Sequence, residues 1–299
     1  MKYAFILKNR SQWPVSILCE VLEVSPSGYH CAEQRKLKKA VKYQGIKRMS
    51  NNLLLANIRT AHAASKGEYG WPRVWKALLQ KGIQVGKERV RKLMNQHNIC
   101  AKHKRKFRVT TDSRHNLPIA PNLLERNFTT SEPNRVWTTD LTYIQTKDGW
   151  LYLVAFIDLY SRMIVGWSLQ PHMRAEMVVD ALRMAWFRRK QPRDVIVHSD
   201  RGSQYCGQLF QDALKAYGMK SSMSRKGDCW DNAPTESLWG KLKVARIHGE
   251  PLKSADETRQ EVMDWVHFYN STRLHSSLDY LSPMQFEKRS LQTHKGQAA

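Results

Sequence analysis

The sequence is short of acids: 26 Asp plus Glu stand against 49 Lys plus Arg, a formal charge of +23. Such an excess repels itself unless a polyanion is near, so nucleic acid is the expected partner. Long hydrophobic runs are missing as well. The longest clean one covers residues 151–157, far below the roughly 18 residues of a spanning helix, which excludes a membrane partner. Lys8 and Arg10 directly follow apolar residues 3–7, a start that does not read as a signal peptide, and a cytoplasmic location is expected. Cysteine is scarce, odd in number and scattered over Cys19, Cys31, Cys100, Cys206 and Cys229, which argues against a disulfide framework. His97, Cys100 and His103 form the one cluster that hints at zinc, but no CxxC completes four ligands, and a solvated basic segment is the better reading. Internal repeats, low-complexity tracts and sustained heptads are also absent.

What is present falls into parts. Residues 1–48 hold a helix-turn-helix-like piece over 15–29 with an SPSG turn. In residues 49–116 three helices are expected, at 51–65, 72–81 and 86–98. Pro72 suits a first turn and Gly82 a helix stop. Val85, Val90, Leu93 and Met94 supply an apolar stripe, leaving Lys87, Arg89, Arg91 and Lys92 on other faces. This is the pattern of a helix-turn-helix, with a plain three-helix bundle as the alternative. Basic residues then crowd together at Lys102, His103, Lys104, Arg105, Lys106 and Arg108. They read either as a DNA-facing linker or as a solvated charge run. Pro118, Pro121 and Pro133 mark a linker over 117–132.

From residue 133 to 290 the period changes. Strands are expected at 136–146, 150–157 and 163–169, the first two joined by Lys147, Asp148 and Gly149. A helix at 174–188, a strand at 194–198, a helix at 207–217, a strand at 220–224 and a helix at 232–245 follow. Three meander strands and then alternating helix and strand make a mixed five-stranded α/β sheet, the order of a ribonuclease H-like fold. Residues 291–299 are a tail.

Three acids stand out in that frame: Asp140 in the first strand, Asp200 ending the fourth in HSDRGSQY, and Glu236 early in the last helix, with thirty-five residues between the last two. Hard carboxylate oxygens converging from strand ends and a covering helix are what a pair of divalent cations needs. Lys243 follows Glu236 by seven residues, two helical turns, so its ammonium can reach a phosphate beside the metals. Asp158 reads as a structural hairpin residue, Asp228 and Asp231 as helix caps, and Trp137, Trp230 and Trp239 as core.

The segments WTTDLTYI, FIDLYSRMIVGW, HSDRGSQY, CWDNAPTESLWGKLK and FYNSTRLHSSLDYLSP resemble the DDE-type integrase core of the insertion-sequence three family, over residues 136–286. YGWPRVWKALLQKGIQVGKERVRKLMNQHNI resembles the helix-turn-helix that precedes this core in the same family. The resemblance implies a bacterial transposase in which Asp140, Asp200 and Glu236 are catalytic and bind two Mg²⁺ or Mn²⁺ ions. It also implies DNA partners, the terminal inverted repeats and the target, with nucleoid association and a homo-oligomer of at least two chains. Tyr269, Asn270, Arg273 and His275 match the family's closing motif, and Arg273 and His275 join Lys243, Arg89, Arg91, Lys92, Lys104, Arg105 and Lys106 as candidate DNA contacts. Active members are usually frameshift fusions with an upstream reading frame, so the chain looks like the downstream-frame product, with fusion or association as its expected route to full assembly. Two rival readings are a DNA-binding regulator with an inert core and a ribonuclease H-type nuclease.

Overall fold

The computed structural model describes residues 2–43, 49–102, 118–225 and 229–297. Residues 103–108 of the basic run, His103 of the zinc-hint cluster among them, and Asp228, lie outside the described residues. Contacts divide the chain into two units, Met1–Leu54 and Leu55–Ala299.

In the first unit, α1 (Lys2–Asn9), α2 (Val15–Val21) and α3 (Pro26–Tyr43) close on a small core of Ile6, Leu18, Cys19 and Tyr29. Pro26 opens α3, where a fixed φ and a missing N–H carry no cost. Then α4 (Asn51–Ala64) leads to α5 (Trp71–Gln80) and α6 (Lys87–Gln96). Pro72 falls in the first turn of α5, and Gly82 adopts a positive φ of 77° after it, as the helix-stop reading requires. Val90, Leu93 and Met94 are buried on one side of α6, while Lys92 is exposed and Arg89 and Arg91 are half-buried.

The sheet comprises β1 (Val136–Thr146), β2 (Gly149–Asp158), β3 (Ile164–Gln170), β4 (Ile196–Ser199) and β5 (Lys220–Met223), in the order β3-β2-β1-β4-β5. β1 pairs antiparallel with β2, and β2 with β3, whereas β1–β4 and β4–β5 are parallel. Alternation sorts the side chains by face. Trp137, Val154, Phe156 and Val165 pack under α7 (Ala175–Arg188) and α9 (Gln208–Ala216), with the short α8 (Ser203–Cys206) beside them. Ile144, Leu153, Ala155, Ile157 and Ile164 meet α10 (Ala233–Leu242) and α11 (Ala255–Ser271). Both faces are therefore covered, which is why β2 reads as an unbroken apolar run. The last helix is α12 (Pro283–Gln297).

Three differences from expectation have physical causes. The helix expected over 232–245 ends as an α-helix at Leu242 and widens into a π turn, Lys243–Ile247, where His248 N–H donates to the Lys243 carbonyl at 2.7 Å and Arg246 turns inward to Glu68 and Glu261. Asp231 does not cap α10, whose N-cap is Asn232. It accepts instead from Arg225 and from Arg126 and Asn122, and the Arg225 guanidinium holds its carboxyl far below the usual carboxylate range. The segment after α4 packs on the core: Tyr69 Oη accepts from Leu274 N–H at 2.9 Å and Arg73 Nε donates to the Leu274 carbonyl at 3.0 Å.

Candidate active site

Strand register positions the first two acids. β1 and β4 pair in parallel up to Thr138 opposite His198; two residues further along each strand stand Asp140 and Asp200, side by side where β4 stops and β1 continues. Asp140 Oδ1 accepts from Leu141 N–H at 2.8 Å and Oδ2 from Trp239 Nε1–H at 3.0 Å. Asp200 Oδ1 accepts from Gly202 N–H at 2.9 Å. Burial, and then the charge of Asp200, push the Asp140 carboxyl up to about 8, and Glu236 adds to the rise. The same field reaches further: burial first, then Asp140 and Asp200, raise the Tyr205 phenol, and burial and Asp200 raise the Cys206 thiol.

Glu236 lies in the first turn of α10, where the helix N-terminus favours a carboxylate, and its side chain is exposed. Hydrogen bonds from His198, Asn232 and Trp239 aim that helix. His198 ring nitrogens meet Ser222 Oγ at 2.9 Å and the Asp231 carbonyl at 3.0 Å. Asn232 Nδ2 donates to the carbonyl of Thr139, beside Asp140, at 3.3 Å. The Trp239 indole, one turn beyond Glu236, holds Asp140 itself. Trp239 and Trp137 are buried in the core as read from the sequence, but the indole bond to Asp140 was not foreseen. The three-residue offset from Glu236 was its available signal.

Lys243 is half-buried, with its ammonium 4.9 Å from the Tyr143 ring centre. Burial lowers its pKa and the nearby charge of Asp140 opposes that. Among the described residues no three His, Cys, Asp or Glu side chains are close enough to hold one metal ion.

The other candidates are placed differently. Asp158 is fully buried and accepts from Asn134 and Tyr160 N–H, with Arg189 at 3.1 Å, a structural corner. Asn270 accepts from Ile164 N–H and donates to the Ile164 carbonyl, each at 2.9 Å, closing the backbone of β3. Arg273 and His275 are buried, Arg273 Nε lying 3.2 Å from Glu68. Arg91 pairs with Glu88 at 2.9 Å on α6.

Profiles of known families match along most of the chain: an HTH-like domain over residues 50–107, and two integrase core domain profiles over residues 130–229 and 217–283. The chain is 41% identical over 292 residues to the transposase InsF for insertion sequence IS3A of Escherichia coli strain K12, covering 97% of this chain and 100% of that protein. It is 40% identical over 273 residues to an IS600 uncharacterized 31 kDa protein of Shigella sonnei, covering 91% of this chain and 98% of the relative. Among solved structures, the HTLV-2 integrase catalytic core domain in complex with magnesium aligns at a TM-score of 0.41 and 16% identity, over 53% of this chain and 99% of that one. No described helix is long and apolar enough to cross a membrane. With an HTH-like segment leading into an integrase core, and a full-length transposase relative at this identity, the chain belongs to the IS3 family of insertion-sequence transposases.

Proposed function

We propose that the chain cuts DNA at the ends of its element and joins them to a target, with Asp140, Asp200 and Glu236 as the catalytic acids. The observation that carries this reading is the parallel register of β1 and β4, which sets Asp140 beside Asp200 while Glu236 adds its charge from α10. A buried carboxyl raised further by the charge of a neighbouring carboxylate is poorly placed without a cation, and hard oxygen donors suit Mg²⁺ or Mn²⁺. A pair of such ions, when bound, would activate water or a 3′-hydroxyl and stabilise the leaving oxygen. The chain's own side chains do the rest. Trp239 fixes the Asp140 rotamer, Asn232 and His198 set α10 against the strand ends, and Lys243 offers a cation to the scissile strand.

Arg89, Arg91 and Lys92 on α6, with Lys104, Arg105 and Lys106, belong in this reading to the recognition of the element ends and of the neighbouring backbone. Two ends must be held together, so assembly of at least two chains is part of the proposal, as is association with an upstream-frame product. The test is a nicking assay on labelled element-end duplex and on an RNA–DNA hybrid of the same sequence. Cutting of the duplex only, lost in EDTA and restored by Mg²⁺, is expected. Cutting confined to the hybrid makes the chain a ribonuclease H-type nuclease, and cutting of neither makes it a regulator.

Lys243 gives a graded prediction. Lys243→Ala should lower strand joining by about tenfold or more, about 1.4 kcal/mol of barrier, with Mg²⁺ dependence unchanged. Lys243→Arg should keep part of the activity, since charge survives but the planar fork fits phosphate differently. Crosslinking from position 243 to the terminal nucleotides checks the placement; an alanine variant that joins at the wild-type rate makes Lys243 surface charge only.

A further inference from the structure

On a different face of α10 from Trp239, Ser237, Gly240 and Lys241, with Val244 of the π turn that follows, line a cavity of about 530 Å³, within the roughly 300–1,000 Å³ of ligand clefts. Its other walls are the start of α5, with Gly70 and Arg73, then Lys102, and Arg273 beyond α11. Four cations, Arg73, Lys102, Lys241 and Arg273, face it against one acid, Glu68. That acid is already shared, with Arg246 Nη2 at 3.1 Å and Arg273 Nε at 3.2 Å. Lys102 is committed to Glu250 at 2.8 Å.

Arg273 is 4% exposed, yet its Nη1 is buried with no hydrogen-bond partner. Native interiors rarely leave a donor so. His275 behind it is likewise buried, with Nε2 unpartnered. Burial, then Arg273, Lys241, Arg73 and Arg162 push the imidazole down to about 2, so the surroundings of the cavity are cationic even after Glu68 is counted. The Arg73 guanidinium is also lowered, by burial first and by Arg273 next. Among the described residues Glu68 is the one acid that acts on both guanidiniums, and Arg246 shares it, so the cavity wall keeps an excess of positive charge.

We propose that this cavity is a phosphate-binding site separate from the acidic site, in which Arg273 and Arg73 hold the oxygens of the anion and Lys241 closes on it from α10. A guanidinium fork matches phosphate geometry. Lys241 stands on the helix that carries Glu236, so an occupied cavity fixes that helix from behind. The phosphate can come from a DNA strand or from solution.

The experiment titrates inorganic phosphate into the full-length protein in EDTA and follows the thermal midpoint and the ³¹P linewidth. Saturable stabilisation is expected for wild type, with the apparent dissociation constant raised about tenfold or more by Lys241→Gln and by Arg73→Gln. Arg273→Lys, which keeps the charge and removes the fork, should also weaken binding; because Arg273 anchors Glu68, circular dichroism must show it folded before it counts. Asp140→Asn should bind phosphate as wild type does. Displacement of phosphate by element-end duplex assigns the site to a DNA backbone phosphate, and binding that DNA does not displace assigns it to free phosphate. An unsaturable response, an equal response in wild type and Lys241→Gln, or loss of binding in Asp140→Asn overturns the proposal.

Discussion

Asp140→Asn, Asp200→Asn and Glu236→Gln will each leave a folded protein that binds element-end DNA and neither cuts nor joins it. Each change keeps shape and removes one anionic oxygen from the ligand set, and hard divalent cations discriminate strongly against that loss. A fall of at least about 10³-fold in cleavage, about 4 kcal/mol of barrier, is expected for each. Asp140→Asn carries a second signature, because burial and Asp200 raise its carboxyl to about 8. The sign follows from linkage: a carboxyl raised on folding must take up a proton or hold an unfavourable charge, so its destabilising contribution grows as pH climbs from the unfolded value of about 3.9 toward the folded one. At pH 7 in EDTA the asparagine, which keeps an acceptor for Trp239 Nε1–H, should therefore melt higher than wild type, by about 2–4 °C for each 1 kcal/mol relieved. Activity and stability then move in opposite directions, the reverse of a misfolded variant. Mg²⁺-dependent nicking by any one of the three would remove that residue from the site, and an Asp140→Asn melting point at or below wild type would remove the argument from crowding.

The places of the three candidate acids were legible because each sits in a local word, Asp140 inside the first strand and Asp200 and Glu236 at element ends, and the elements of an alternating α/β chain are set by local pattern. The sheet was legible for a related reason. Lys147, Asp148 and Gly149 mark the β1–β2 turn, and Gly149 adopts a φ of 118° that other residues rarely do. α11 was missed although Ser254 and Glu257 form a capping box at its start, a signal within four residues. Other misses could not have been read locally. Asp231 has the spacing of a cap, but its partner Arg126 is 105 residues away. Arg273 has the look of an exposed phosphate ligand, but Glu68, 205 residues earlier, meets it in the interior. Such long-range pairs between buried charges leave no periodicity behind, so the sequence shows the residue types and not whether they face solvent or each other.

The largest stability effect lies behind the sheet, at Gly166→Ala. β3 crosses α7 so closely that a Cβ on Gly166 would stand 2.7 Å from both Ala185 N and Ala185 Cβ, and closer still to the Ala181 carbonyl oxygen. Two of those three atoms are helix backbone, which cannot rotate aside as a side-chain end can. Ala181 and Ala185 are themselves fully buried, so α7 has no slack to recede without opening its contacts with Val165 and Phe156. Overpacking costs about 1–3 kcal/mol where side chains can adjust; with backbone as the obstacle, about 3 kcal/mol or more is expected. That is a large share of the roughly 5–15 kcal/mol that holds a domain folded, and about a 6–12 °C fall in melting temperature at this size. Gly86→Ser is the matched control, since nothing lies within 4 Å of a Cβ there and serine suits the N-cap of α6; it should stay within about 0.5 kcal/mol of wild type. Ala185→Gly added to Gly166→Ala should recover only part of the loss, because the Ala181 carbonyl remains in the way. Element-end cleavage measured well below the lowered melting temperature should be near normal, because Gly166 pairs with Phe156 on β2, one strand removed from the β1–β4 seam that holds the acids. A Gly166→Ala protein that melts within a degree of wild type would show that β3 and α7 do not approach this closely in solution.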